Sequence, residues 1–208
     1  MARANHQTSS DDAPRDAIAL LKQDHRAVEA LFDEFEEADE SEQSELATRI
    51  CQMLTVHAQI EEELLYPQAK EALDEEEDEL VYEAEIEHNS AKELIAKIEA
   101  STPEDPEFKP LVSVLGEYVK HHVKEEEKEL FPALKETELD LKEMGSQLAQ
   151  RKMQLMEQMG IEAEEAPAPQ RKRASGSRST RTSAAKGRQA RAGSRSKSAR
   201  SSASRARH

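Results

Sequence analysis

Apolar residues recur at spacings of three and four along most of the chain, and the positions between them are polar or charged. Each such run predicts an amphipathic helix with one buried face. From Pro14, which suits a first helical turn, a face runs through Ile18, Leu21, His25, Val28, Phe32 and Phe35. After a polar break at Asp39 to Gln43, a second runs through Leu46, Ile50, Met53, Leu54, His57, Glu61 and Leu64. The acidic stretch Asp74 to Asp78 reads as a connection, and the third face is Val81, Ala84, His88, Ala91, Ile95 and Ile98. A turn with two prolines, Ser101 to Pro106, precedes a fourth face of Leu111, Leu115, Val119, His122, Glu126 and Leu130. Residues 139–159 predict a shorter fifth helix with Leu141, Met144, Leu148, Met156 and Met159 as packing positions. No segment reads as a strand. Four long helices with short connections predict an all-α, up-down-up-down four-helix bundle with a short C-terminal helix.

The ends differ from this pattern. Residues 1–11 lack periodicity and are expected to be disordered, so the bundle domain is placed at 12–160. Residues 161–208 read as a linker and a tail rich in Arg, Lys, Ser and Ala. From Arg171 onward no apolar residue is larger than Ala. Such a segment cannot bury enough surface to offset its ordering entropy, so a disordered basic tail is expected.

The four bundle helices are two copies of a pair. Asp24-His25 matches Glu87-His88, each followed six residues later by a leucine, Leu31 or Leu94. His57-x3-Glu61-x5-Pro67 matches His122-x3-Glu126-x5-Pro132, with Leu65-Tyr66 beside Leu130-Phe131 in the flanks. The proline fixes the register and selects His122, not His121, as the histidine on the apolar face. His25 and His57 both lie ~20 Å from their shared turn at ~1.5 Å per residue, so an antiparallel hairpin brings them to one height. His88 and His122 do the same in the second hairpin. Glu61 and Glu126 lie one helical turn from their histidines on the same face.

Four imidazoles and two carboxylates in one core layer are costly unless something pairs them. A pair of metal ions does so. Imidazole with carboxylate suits iron, manganese or zinc, and facing helices of a bundle are a familiar place for a di-metal site. Ferritin-like di-iron bundles use Glu-x-x-His on two helices. Here Glu85-x-x-His88 fits once, while Lys22, Leu54 and Val119 precede the other core histidines, which disfavours that reading. A lone His-x3-Glu is weak; a duplicated frame of four core histidines is not.

With His25, His57-x3-Glu61, His88 and His122-x3-Glu126 on successive helices, the chain resembles the hemerythrin-like, HHE cation-binding domains over roughly residues 12–160. The resemblance implies a hemerythrin-like bundle with a non-haem centre of two iron ions, oxo- or hydroxo-bridged. It implies terminal ligands at His25, His57, His88 and His122 and bridging by Glu61 and Glu126. Zinc and manganese are the alternative metals. Oxygen-carrying hemerythrins have a second histidine four residues after the third-helix histidine, where this chain has Lys92. Its last carboxylate is a Glu at i+4, not an Asp at i+5. These departures place the chain nearer the four-histidine branch, which includes iron- and oxygen-responsive domains and peroxide-handling bacterial proteins. Two functions follow: a module that binds or senses oxygen, peroxide or iron, or an enzyme that consumes peroxide (catalase-like) or oxidises ferrous iron. The sequence leaves open whether the protein is an enzyme.

The remaining residues have plainer readings. His6 and His208 lie in the expected disordered ends, His121 points off the core face, and Tyr66, Tyr118 and Phe131 read as packing groups. Cys51, a single cysteine, excludes a disulfide framework and reads as a small buried apolar residue. The runs Glu61-Glu62-Glu63, Glu75-Glu76-Glu77 and Glu125-Glu126-Glu127 read mostly as solvated faces.

Charge adds a partner class. Thirteen of the 29 Lys and Arg lie in residues 171–208, which hold no Asp or Glu; the other sixteen face all 44 acids, a net of −28 over residues 1–170. A basic, aromatic-free tail fits sequence-independent binding of nucleic-acid phosphates. Folding back on the acidic body is the alternative. No apolar run approaches the ~18 residues of a membrane span, and the first residues have no apolar core, so a cytoplasmic protein without membrane contact is expected.

Overall fold

The computed structural model describes residues 16–161, and these are helical with no strand. Helix α1 spans Ala17–Glu37 and α2 spans Glu40–Ile60. A π-helical turn, Glu61–Leu65, carries α2 without a break into α3, Tyr66–Ala72. Helix α4 is Glu79–Glu99 and α5 is Phe108–Glu125, which passes through a second π-turn, Glu126–Leu130, into α6, Phe131–Glu136. Helix α7 is Leu141–Gln158. Helices α1, α2, α4 and α5 form the up-down-up-down bundle, each beside two others, and α7 lies against α1 and α2. The expected disordered N-terminus and basic tail lie outside the described residues.

Local chemistry sets the boundaries. Helix α1 starts at Ala17, not Pro14, because Asp16 caps it, its side chain accepting from the Ala19 N–H at 2.8 Å. Asp39 and Glu42 form a capping box at the start of α2. The expected break at Asp39 to Gln43 therefore shrinks to Ala38 and Asp39. Gln43 is buried there and its amide donates to the Phe35 and Ala38 carbonyls.

The core has two apolar clusters. One joins α1 from Val28 to Phe35, α2 from Leu46 to Leu54, and the facing parts of α4 and α5, with Phe35, Ile50 and Leu115 fully buried. The other joins the opposite ends of these helices to α7 through Met144, Leu148 and Leu155. The fifth helix buries Leu155 rather than Met159, which is 40% exposed at the helix end. Cys51 is buried in the first cluster, and burial, helped by Glu99, pushes its thiol up to about 12. Among the described residues no helix is long and apolar enough to cross a membrane.

Candidate metal centre

Between the two apolar clusters lies one polar layer. His25 stands on α1, His57 on α2, His88 on α4 and His122 on α5, all buried. The Nε2 atoms of His25 and His57 are 3.2 Å apart, and those of His88 and His122 are 3.1 Å apart. Glu61 and Glu126, at the starts of the two π-turns, reach across both pairs. Glu61 Oε2 is 3.2 Å from His57 Nε2 and 3.5 Å from His88 Nε2. Glu126 Oε2 is 3.3 Å from His25 Nε2 and 3.5 Å from His122 Nε2. All six residues singled out in the sequence thus meet in one layer. Glu85, of the Glu-x-x-His alternative, instead accepts from Lys70 at 2.7 Å, outside the layer.

This layer leaves buried polar atoms unpaired. Both Glu61 oxygens and Glu126 Oε2 are buried without a hydrogen-bond partner among the described residues. Buried carboxylate oxygens in that state are rare and costly. Four imidazole nitrogens and these oxygens form a donor set suited to iron, manganese or zinc. His25, His57, Glu61 and Glu126 can each offer a ligand atom to one ion, and Glu61, His88 and His122 to another.

A second tier of acids holds the histidines. Glu127, Glu62 and Glu87 lie 3.2, 3.0 and 2.9 Å from Nδ1 of His25, His88 and His122, while Asp24 lies 3.7 Å from Nδ1 of His57. The three shorter contacts fix their rings and turn Nε2 inward, whereas His57 Nδ1 has no hydrogen-bond partner among the described residues. Each acid is the sequence neighbour of a central residue but serves a different helix, so the helices brace one another. Cations sit behind them: Lys22 on Glu127 (2.9 Å), Lys92 on Glu62 (2.5 Å) and Lys152 of α7 on Asp24. His121, which the pattern sets off the core face, lies 3.1 Å from Glu87. The sequence pattern places Glu62 and Glu127 on solvated faces and gives Asp24 and Glu87 no role beyond marking the repeat. The signal was there in the duplication, since Asp24 and Glu87, and Glu62 and Glu127, occupy matching positions.

The π-turns have a sequence cause. Pro67 and Pro132 lack an N–H and crowd the preceding turn, so the helix widens just before them. The N–H of Tyr66 then bonds the Glu61 carbonyl, and that of Phe131 the Glu126 carbonyl, five residues back. The extra residue turns Leu65, Tyr66 and Phe131 fully inward, whereas the period of 3.6 had assigned Leu64. Phe131 stacks on His25 with ring centroids 5.9 Å apart. Tyr66, read from sequence as packing only, also donates its hydroxyl to Glu126 Oε1 at 3.1 Å and lies 3.3 Å from His88 Nε2.

Electrostatics separates the two central carboxylates. Burial, then the charge of Glu126, raises Glu61 well above the usual carboxylate range. Burial opposes the ionised form of Glu126 as well, but the charge of His122 and the proximity of His25 outweigh it and hold Glu126 at about 2. Burial lowers His57 to about 4 against the pull of Asp24. Metal-free, the layer therefore accommodates mixed protonation; ionised carboxylates and neutral imidazoles are the forms that bind cations, so a cation entering the layer displaces the Glu61 proton.

Comparisons with known proteins agree with this geometry. A family model described as the hemerythrin HHE cation binding domain matches residues 16–134. A protein of Nostoc sp. named DNA nickase is 33% identical over 127 residues, 61% of this chain. The match spans only 35% of that relative's length. A crystal structure of a hemerythrin HHE cation binding domain-containing protein from Mycobacterium kansasii has the same fold, with a TM-score of 0.60 and 24% identity. That likeness covers 69% of this chain and 88% of the other.

Proposed function

Because the chain belongs to the hemerythrin HHE cation-binding family, we propose that its polar layer holds two iron ions, one between His25 and His57 and one between His88 and His122, bridged by Glu61 and Glu126. The observation that carries this reading is the pair of buried carboxylates with unpartnered oxygens, each within 3.5 Å of a histidine from both pairs. The function that fits is binding or sensing of oxygen, peroxide or iron. Bound iron would supply one-electron redox chemistry toward dioxygen or peroxide. The chain's part is to aim Nε2 of His25, His88 and His122 inward through Glu127, Glu62 and Glu87, with the Asp24 charge beside His57. Phe131 and the two apolar clusters flank the layer with apolar surface. A cytoplasmic setting, where the buried Cys51 thiol stays reduced, belongs to the same proposal.

The test is metal content of the full chain beside a His57→Ala/His122→Ala variant, by mass spectrometry. About two irons per chain, lost in the variant, are expected. Zinc or manganese in their place would retain the ligand set and remove the oxygen chemistry. No stoichiometric metal in either protein would overturn the centre.

Tyr66 favours a second reading, redox turnover, because its hydroxyl holds a proton against Glu126 inside the layer. Steady consumption of peroxide by iron-loaded protein supports turnover, whereas a single stoichiometric spectral change supports sensing. For residues 171–208 we propose sequence-independent nucleic-acid binding, on their charge and on the name of the Nostoc relative. Deleting 171–208 should abolish retention on DNA at low salt and leave metal content unchanged; equal retention would discard the proposal.

A further inference from the structure

The duplication gives each hairpin an outer face beside its histidines, and the two faces are opposite in chemistry. In the first hairpin Leu20, Val56 and Ile60 are buried, Leu64 is half-buried, and all but Leu64 are members of the cluster that contains Met144, Leu148 and Leu155 of α7; Leu64 packs against it. The matching positions of the second hairpin are Glu83, His121, Glu125 and Glu129. No apolar residue replaces them, and α7 lies against α1 and α2 instead. A cleft between α4 and α5 opens here, lined by Glu83, Glu87, Glu125 and Glu129, by Leu80, Ala84 and Leu130, and by the buried His122 and Glu126.

Two features tie this cleft to a cation. Glu126 is 2% exposed, and its Oε2 has no partner among the described residues, so an unpaired buried carboxylate oxygen lies at the inner end. At the outer end Glu87, His121 and Glu125 each offer a ligand atom within 4.8 Å of the others. Glu87 joins the ends: one oxygen lies 3.1 Å from His121 Nδ1 and the other 2.9 Å from His122 Nδ1. The His121 side chain is 57% exposed, which puts this cluster in contact with solvent.

We infer that the cleft between α4 and α5 is the path by which a divalent cation reaches the buried layer, and that Glu87, His121 and Glu125 at its mouth form a second, transient cation site. The first hairpin's equivalent path is closed by leucine, isoleucine, valine and the fifth helix. A low-dielectric cleft lined by one sign of charge concentrates counter-ions and speeds their capture. Imidazole with two carboxylates is a donor set that takes iron, zinc, manganese or cobalt from water and, with few ligands, releases them inward. The inference rests on the reading of the buried layer as a metal centre.

The test is the rate of Co2+ uptake by the chelator-stripped full chain, followed by stopped-flow visible absorption. Three proteins are compared: wild type, a cleft variant (Glu83→Gln/Glu125→Gln/Glu129→Gln), and a control (Glu75→Gln/Glu76→Gln/Glu77→Gln) that removes the same charge from an exposed connection. A fourth, His121→Ala, probes the mouth. The cleft variant should load about 10-fold slower than the control and His121→Ala should also be slow. Final cobalt per chain should be equal in all four. Equal rates in cleft and control variants, or a lower final cobalt content in the cleft variant, overturn the path. A wild-type chain that takes up no cobalt at all overturns the buried centre and the path with it.

Discussion

Glu61 sets the balance between stability and binding at the scale of single residues. It is fully buried, neither oxygen has a hydrogen-bond partner among the described residues, and burial with Glu126 nearby raises its pKa well above the usual range. An acid whose folded pKa is raised contributes its stability below its unfolded pKa and loses it as pH rises. Between about pH 5 and 8 the metal-free protein should therefore be weakened progressively by this one group. Glu61→Gln, neutral at every pH, should raise the melting temperature of the metal-free chain. The gain should grow with pH and reach about 1–3 kcal/mol, the scale of an unsatisfied buried polar group. The same variant should bind less metal. Thermal melts at pH 5 and pH 8 on chelated protein, with metal analysis alongside, check both halves; a gain independent of pH would mean that Glu61 is already paired. The six central residues were legible in the sequence because chemistry and register were both duplicated. Tyr66 was not, since a tyrosine on an apolar face looks the same whether or not its hydroxyl finds a partner. Only the contrast with Phe131, its match in the other half, marks it.

At the scale of elements, the four long helices were legible because their apolar faces repeat at one period and their breaks carry proline or acidic runs. The π-turns were not, because a constant period cannot show an inserted residue; the repeated proline was the trace they left. Nor did the sequence show where α7 rests, since its apolar positions do not name their partner. The structure shows a tight approach at Gly145, where a Cβ would meet the Ala17 N and Asp16 C atoms at 2.6 Å. These are backbone atoms at the capped start of α1 and cannot swing aside. Gly145→Ala should lift α7 from α1 and cost about 1–3 kcal/mol despite alanine's better helix propensity. Because Lys152 of α7 also contacts Asp24, which faces His57, the variant should load metal more slowly or less completely. Urea denaturation gives the stability change; a stability equal to that of the parent would show that α7 shifts without penalty. By contrast, Ser146→Ala on the exposed side of the same helix should be nearly silent.

For the molecule as a whole, the bundle should keep its fold when stripped of metal. The two apolar clusters flank the polar layer and can hold the helices together when the layer is empty of cations. What the cation should change is stability. A ligand that binds only the folded state adds about 2.7 kcal/mol at one hundred times its dissociation constant. For a chain of this size that is a rise of roughly 5–10 °C in melting temperature. Charge alone does not predict the same result. Residues 1–170 carry a net charge of −28, so any divalent cation relieves some repulsion between surface carboxylates. The buried layer discriminates, because its imidazole nitrogens favour transition ions, while magnesium and calcium prefer all-oxygen sites. Calorimetry of the chelated chain should therefore show a large, saturable rise with Fe2+ or Co2+ and a small, salt-screened rise with Mg2+. In His57→Ala/His122→Ala only the small rise should remain. A rise with Mg2+ equal to that with Fe2+, or one that persists in the double variant, would assign the stabilisation to the acidic surface and take the histidine layer out of the account.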